Sequence, residues 1–117
     1  MAEIFVFGSN LAGRHGKGAA LHARKVCGAI YGQAAGRQGD SYAIPTKDER
    51  LRTLPLNEIS PYVDRFIAYA VANPELRFKL TAIGCGLAGY KPKDIAPMFA
   101  DAPENVIKPD EFVNTEC

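Results

Sequence analysis

Two glycine-rich segments carry the residues of this sequence that are best suited to chemistry. The first is GSNLAGRHGKG, over residues 8–18, in which Arg14, His15 and Lys17 stand among the glycines. The second is GCGLAGY, over residues 84–90. Glycine lets a backbone approach a ligand closely, and the unpaired N–H groups at the start of a helix bind phosphate. The two segments therefore predict a site that holds a diphosphate through backbone N–H groups.

The glycine spacing fits neither of the common nucleotide motifs. Gly13, Gly16 and Gly18 lack the Gly-Lys-Ser/Thr ending of the P-loop, and no acidic residue stands where the dinucleotide fingerprint requires one. The alternative interpretation is that both segments are tight strand-to-helix turns without a ligand. Two glycine clusters in the same context favour a binding site, because a turn rarely needs so many glycines.

Three side chains near these segments are candidates for catalysis: Asn10, His15 and Asp48. A histidine titrates near neutral pH and suits general acid–base catalysis. The alternative for His15 is an exposed loop side chain that hydrogen-bonds a ligand or water. Asp48 belongs to the charged run PTKDER and is suited to orienting a water molecule, whereas the alternative is a solvated loop. In a hydrolase, these groups would assist attack by water on the bound ligand.

The cysteines predict neither a disulfide scaffold nor a metal centre. There are three of them and no CxxC pair, so no metal or cofactor is expected and a reducing cytoplasm is the expected location. Cys85 stands between two glycines at an expected helix N-terminus, where a thiolate nucleophile would be favoured. The favoured alternative is that Cys85 is a small packing residue.

Composition restricts the class of protein and of partner. A chain of 117 residues with 47% hydrophobic residues predicts one domain with its own core, over residues 1–117. The net charge of +1 gives no general attraction for nucleic acid, and the basic residues are not interleaved with aromatic ones. The opening MAEIFVFG is unlike a signal peptide, and the apolar runs are too short for a membrane span. A small diphosphate-containing molecule is the expected partner.

Strands that alternate with helices predict an α/β fold with a mainly parallel sheet. The predicted strands cover residues 4–7, 41–45, 78–83 and 105–107, and the predicted helices cover 19–26, a segment opened by Ser60 and Pro61, and 93–99. Residues 31–39 are predicted as a loop and 110–117 as a loose tail. Since parallel strands end at one edge of a sheet, both glycine segments should meet there. An exposed sheet edge would also suit a homodimer.

The two segments resemble the ligand loops of macro domains, the ADP-ribose-binding modules. The stretch FVFGSNLAGRHGKGAALHARKVCGA is similar to the first loop, and LTAIGCGLAGYKPKDIAPMF is similar to the second. With SYAIPTKD between them, the chain also resembles small macro-like proteins of bacteriophages and prophages. The resemblance implies a macro-like three-layer α/β/α fold with a mainly parallel, mixed sheet. The fold would be truncated at its N-terminus relative to full macro domains, and the family's adenine-holding Asp has no counterpart here.

The same resemblance implies which residues bind. Asn10 would meet the distal ribose and Tyr90 would flank it. The implied ligand-binding residues are Gly8, Ser9, Asn10, Gly13, Arg14, Gly16, Lys17 and Gly18 in the first segment and Gly84, Cys85, Gly86, Leu87, Ala88, Gly89 and Tyr90 in the second. The implied function is binding of ADP-ribose or a related nucleotide derivative, with hydrolysis of an ADP-ribosyl bond left open. The alternatives are sequestration or sensing of a nucleotide signal without catalysis, and a structural or interaction domain with no ligand.

Overall fold

A five-stranded mixed sheet organises the residues that the computed structural model describes, which are 3–16, 18–85 and 88–113. Strands β1 to β5 cover Glu3–Asn10, Gly36–Gln38, Ser41–Lys47, Arg77–Leu80 and Val106–Ile107. Within the described ranges, helices α1 to α4 cover Gly18–Val26, Leu56–Ala72, Pro92–Ile95 and Asp110–Val113, and a 3-10 helix over Ala96–Phe99 continues α3. The predicted α/β class is confirmed. None of the described helices has the length and apolar character needed to cross a membrane.

The sheet has the strand order β2-β3-β1-β4-β5. The central strand β1 is parallel to both of its neighbours, with Phe7 opposite Ala43 of β3 and Val6 opposite Leu80 of β4. Strand β5 is parallel to β4 at one edge, and β2 is antiparallel to β3 at the other. The mainly parallel sheet is therefore as predicted, but β2 lies inside the segment that was predicted as a loop.

Neighbouring side chains of β1 point to opposite faces of the sheet, as in any strand. Ile4 and Val6 join the larger core cluster, to which α2 contributes the buried residues Ile59, Val63, Phe66 and Ala70. Phe7 belongs to the smaller cluster, where it packs with alanines of α1. Phe66 lies at the centre of the larger cluster, because its ring meets the rings of Tyr42, Phe78 and Phe99 at centroid distances of 5.1, 5.4 and 6.1 Å.

Two prolines that were predicted to open a helix or end a strand lie inside those elements. Helix α2 begins at Leu56 after Pro55, so Ser60 and Pro61 lie inside the helix and do not open it. Proline in a helix interior sacrifices one backbone hydrogen bond, which the buried apolar face of α2 offsets. Pro45 does not end its strand either. Pro45 pairs with Ser9, and the register between β1 and β3 shifts immediately afterwards. The irregularity in the pairing therefore lies next to a residue that has no N–H to donate to the neighbouring strand.

Three further boundaries differ from the prediction. Strand β1 continues to Asn10, which makes residues 8–10 part of the sheet. Strand β4 ends at Leu80, before the predicted limit of residue 83. Residues 110–113 form α4 and not a loose tail, because Phe112 is buried and stacks on Phe99 at 5.8 Å. Residues 114–117 lie outside the described part of the chain.

We expect Phe66→Ala to destabilise the protein by about 3–5 kcal/mol, because it removes a fully buried aromatic ring from the centre of the core. Urea unfolding followed by circular dichroism measures this loss. Val71→Ala on the same helix is the matched control, since Val71 is exposed and its replacement should change stability by less than about 0.5 kcal/mol. Equal losses in the two variants would contradict this placement of α2.

Candidate functional site

A cleft of about 660 Å³ opens at the carboxyl ends of β1, β3 and β4. Because β1 is parallel to both neighbours, the ends of the three strands reach the same edge of the sheet. The cleft is lined by Gly8, Ser9, Asn10, Arg14, Gly16, Gly18, Ala19, Ala20, Tyr31, Thr46, Lys47, Leu51, Thr81, Ala82, Ile83, Gly84 and Ala88. Both glycine segments therefore contribute to one cleft, as the parallel strand order predicts.

The described lining of the cleft is positively charged. Arg14 and Lys47 line it, whereas no Asp or Glu is among the described lining residues. Helix α1 begins at Gly18, and Gly18, Ala19 and Ala20 also line the cleft. The first turn of a helix presents unpaired N–H groups and the positive end of the helix dipole. The arrangement is suited to an anionic ligand.

The side chain of Asn10 closes the first glycine loop on itself. Its Nδ2 donates to the carbonyl oxygen of Arg14 at 2.8 Å, and its Oδ1 accepts from the N–H of Arg14 at 3.0 Å. The carbonyl oxygen of Asn10 accepts from the N–H of Gly13 at 2.9 Å. Asn10 is buried and lines the cleft, and its amide shapes the loop, a role that the sequence pattern does not predict.

Gly13 is required for packing and is not among the cleft-lining residues. Its φ is +69°, and a Cβ there would lie 2.3 Å from the carbonyl carbon of Gly32. The N–H of Gly32 donates to the oxygen of Gly13 at 2.8 Å, and the hydroxyl of Ser9 donates to the carbonyl oxygen of Ala34. The first glycine loop is thereby fastened to the segment before β2.

His15 is fully buried, so the expectation that it is an exposed loop residue is wrong. Its Nε2 lies 3.1 Å from the carbonyl oxygen of Gln33. Since a carbonyl only accepts, Nε2 carries the proton, and Nδ1 has no hydrogen-bond partner among the described residues. The ring meets Phe7 edge-to-face at 5.2 Å. His15 is not among the residues that line the cleft, and its packing and hydrogen bond indicate a structural position.

Asp48 holds the turn that follows β3. Its Oδ1 accepts from the N–H groups of Arg50 at 2.8 Å and Arg52 at 2.9 Å, and its Oδ2 lies 3.4 Å from Nε of Arg52. The N–H of Arg52 and, to a smaller extent, the other contacts with Arg50 and Arg52 lower the pKa of Asp48. The carboxylate does not line the cleft, but its neighbours Lys47 and Leu51 do.

The second glycine segment contributes Gly84 and Ala88 to the cleft. Gly84 has a φ of +75°, and its carbonyl oxygen accepts a hydrogen bond from the N–H of Tyr90 at 2.8 Å. The hydroxyl of Tyr90 donates to the carbonyl oxygen of Leu54 at 2.6 Å. Tyr90 and Gly89 are absent from the described lining, so the implied position of Tyr90 beside a ribose is not what this geometry provides. Lys17, Gly86 and Leu87 lie outside the described residues.

Cys85 lacks the environment of an activated thiol. Burial raises its pKa, and the carboxylates of Asp94 and Glu111 raise it further. Among the described residues, the next helix begins at Pro92, so no described helix N-terminus lies beside residue 85. The half-buried side chain packs against the larger core cluster. These contacts agree with the favoured interpretation of Cys85 as a small packing residue and give no support to a nucleophilic thiolate.

Tyr31 is the lining residue that the sequence analysis missed most completely. It belongs to the predicted loop, and no local pattern connects it with the cleft. The residue is 55% exposed, and the guanidinium carbon of Arg24 lies 5.0 Å from the ring centroid. Thr46 and Thr81 were also missed, although their positions at strand ends are a signal for this edge. Among the described residues, no three His, Cys, Asp or Glu side chains gather as a metal site.

No protein-family profile, curated protein or solved structure matches this chain. The contacts and charges of the cleft are therefore the basis for an assignment of function.

We expect Gly13→Ala to destabilise the protein by more than about 2 kcal/mol, because a left-handed alanine is strained and its Cβ would collide with Gly32. Gly16→Ala is the control, since no atom lies within 4 Å of the added carbon, and it should change stability by less than about 0.5 kcal/mol. Thermal unfolding compares the two variants. A tolerated Gly13→Ala would refute the close approach of the two loops.

The raised pKa of Cys85 predicts slow alkylation at neutral pH. In a Cys27→Ser, Cys117→Ser variant, the rate of reaction with iodoacetamide should be below that of an unstructured cysteine peptide and should continue to rise into the alkaline range, because only the thiolate reacts. Mass spectrometry follows the modification. A rate that levels off near neutral pH would show an activated thiol.

Proposed function

We propose that this protein binds ADP-ribose or a related nucleotide derivative in the cleft between the two glycine segments. The backbone N–H groups at the start of α1 hold the diphosphate, and Arg14 and Lys47 neutralise its charge. Helices α1 and α2 contribute to the two clusters on opposite faces of the sheet, which supports a macro-like three-layer arrangement. The resemblance of both segments to macro-domain ligand loops points to the same ligand class.

The observation that carries this proposal is the unused space beside Gly16, in a cleft with cationic lining. Gly16 lies outside the left-handed region, and an added Cβ would meet no atom within 4 Å. Neither backbone conformation nor packing against the described residues explains a glycine there. Gly18 also faces open space, although its φ is +57°. A ligand that approaches the backbone closely accounts for Gly16, whereas a turn without a ligand accounts for Gly13 and, through its left-handed backbone, for Gly18.

Binding without hydrolysis is the form of this function that the contacts favour. The amide of Asn10 is engaged with Arg14, His15 is buried away from the described lining, and the carboxylate of Asp48 is held in its turn. The hydroxyls of Thr46 and Thr81 donate to backbone carbonyls. Among the described lining residues, no carboxylate or imidazole is available as a general base. The protein would thus sequester or sense a nucleotide signal.

We expect saturating ADP-ribose to raise the melting temperature, because a ligand at one hundred times its Kd adds about 2.7 kcal/mol of stability. Arg14→Gln and Lys47→Gln should each weaken binding about tenfold in calorimetric titration, since each removes a charged partner of the diphosphate. Lys25→Gln is the matched control, because Lys25 is an exposed cation of α1 outside the described lining and should not affect binding.

Two outcomes would contradict the proposal. One is the absence of any thermal shift with ADP-ribose, its cyclic forms, NAD and free nucleotides. The other is recovery of cleaved products when the incubated ligand is separated by chromatography. That result would identify the protein as a hydrolase and not as a binding module.

A further inference from the structure

We infer that Tyr31 is a stacking platform for the base of the ligand, and that the cleft accepts nucleoside diphosphates with little discrimination among bases. This inference rests on the proposed function, since it concerns the part of the ligand that lies beyond the diphosphate.

The position of Tyr31 supports this inference. Tyr31 lines the cleft, and the residue is nevertheless 55% exposed. The guanidinium of Arg24 lies over the ring at 5.0 Å from its centroid, and the ring of His15 meets it at 6.4 Å with an interplanar angle of 75°. These two contacts hold the ring, while more than half of the residue's surface stays exposed to solvent. A fixed aromatic surface beside an anion site is suited to a flat ring joined to a phosphate.

Leu51 is a further exposed apolar residue in the same lining. Leu51 is 48% exposed and has a φ of +62°, a conformation that a bulky side chain rarely adopts. The Asp48 carboxylate holds this turn through the N–H groups on either side of Leu51. Backbone strain of this kind persists where surrounding contacts enforce it and is common at ligand clamps. The cleft thus presents fixed apolar surface that a wholly polar sugar phosphate would leave uncovered.

The specificity of the subsite for one base depends on the hydrogen-bonding groups of the lining. Reading the edge of a base requires side-chain donors or acceptors that are not already paired. In the described lining, the side chains of Ser9, Asn10, Thr46 and Thr81 are bonded to backbone groups, and no Asp or Glu is present. The two cations of the lining, Arg14 and Lys47, are engaged by the diphosphate in the proposed function. Stacking tolerates any base, because every base has a π-face. The subsite should therefore accept purines and pyrimidines, with the larger purines preferred by a few-fold.

Calorimetric titration with ADP, GDP, UDP and pyrophosphate tests the subsite. Tyr31→Ala should weaken the binding of ADP and GDP about tenfold, the range measured for stacked bases, and should leave pyrophosphate binding unchanged. Tyr31→Phe keeps the ring and should remain within about twofold of the original affinity. Tyr62→Ala is the matched control, since it removes a similar pair on α2, with Arg65 at 5.4 Å from the ring, outside the described cleft lining.

The outcomes separate this inference from the proposed function. Equal affinity for ADP and pyrophosphate, unchanged by Tyr31→Ala, would overturn the platform and leave the anion site in place. An equal loss for both probes would show that Tyr31 only supports the loop. A preference of more than about a hundredfold between ADP and GDP would overturn base tolerance. Binding of none of the four probes to a folded protein that still binds ADP-ribose would overturn this inference alone, whereas failure of ADP-ribose as well would overturn both proposals.

Discussion

The parallel pairing of β1 with β3 on one side and with β4 on the other is the constraint on which the cleft depends. It places three carboxyl ends at one edge, and the loop from β1 to α1 leaves from the same point. Gly8 keeps the strands close at this edge, since a Cβ there would lie 3.3 Å from Oγ1 of Thr46 and 3.6 Å from Cβ of Ile83. An antiparallel β4 would send the second glycine segment to the opposite end of the sheet.

The glycines of the first segment meet different physical demands, which the bare pattern of glycines conceals. Gly13 permits contact with another backbone, whereas Gly16 leaves space open. The polar residues of the segment also differ in role, because the side chains of Ser9 and Asn10 form hydrogen bonds that fix the loop, whereas Arg14 supplies a positive charge to the cleft lining. A loop ordered by its own contacts loses little entropy when a ligand arrives. The similarity of a segment to a known ligand loop therefore does not assign each of its residues to the ligand.

The order of elements could be predicted from sequence because apolar runs and helical spacing are local properties, and the common edge follows from parallel strands. Strand β2 could not, since Gly-Arg-Gln has no strand pattern and pairs only because β3 supplies its partner residues. The start of α2 was misplaced because burial of residues such as Ile59 outweighs the local signal of Ser60 and Pro61. The positions of His15 and Tyr90 depend on Gln33 and Leu54, which are distant in sequence.

The same hydrogen bonds bear on the proposal that the cleft binds its ligand without chemistry. A general base must have a lone pair free at the moment of reaction. Releasing the Asn10 amide would open the loop that carries Arg14, and releasing the Asp48 carboxylate would free the turn that carries Leu51. A catalytic role for Asn10 would therefore disturb the lining that its amide maintains, and the Asp48 carboxylate lies outside that lining. A preformed cationic cleft has no such conflict when it only binds, because backbone N–H groups and fixed charges act without changing protonation state.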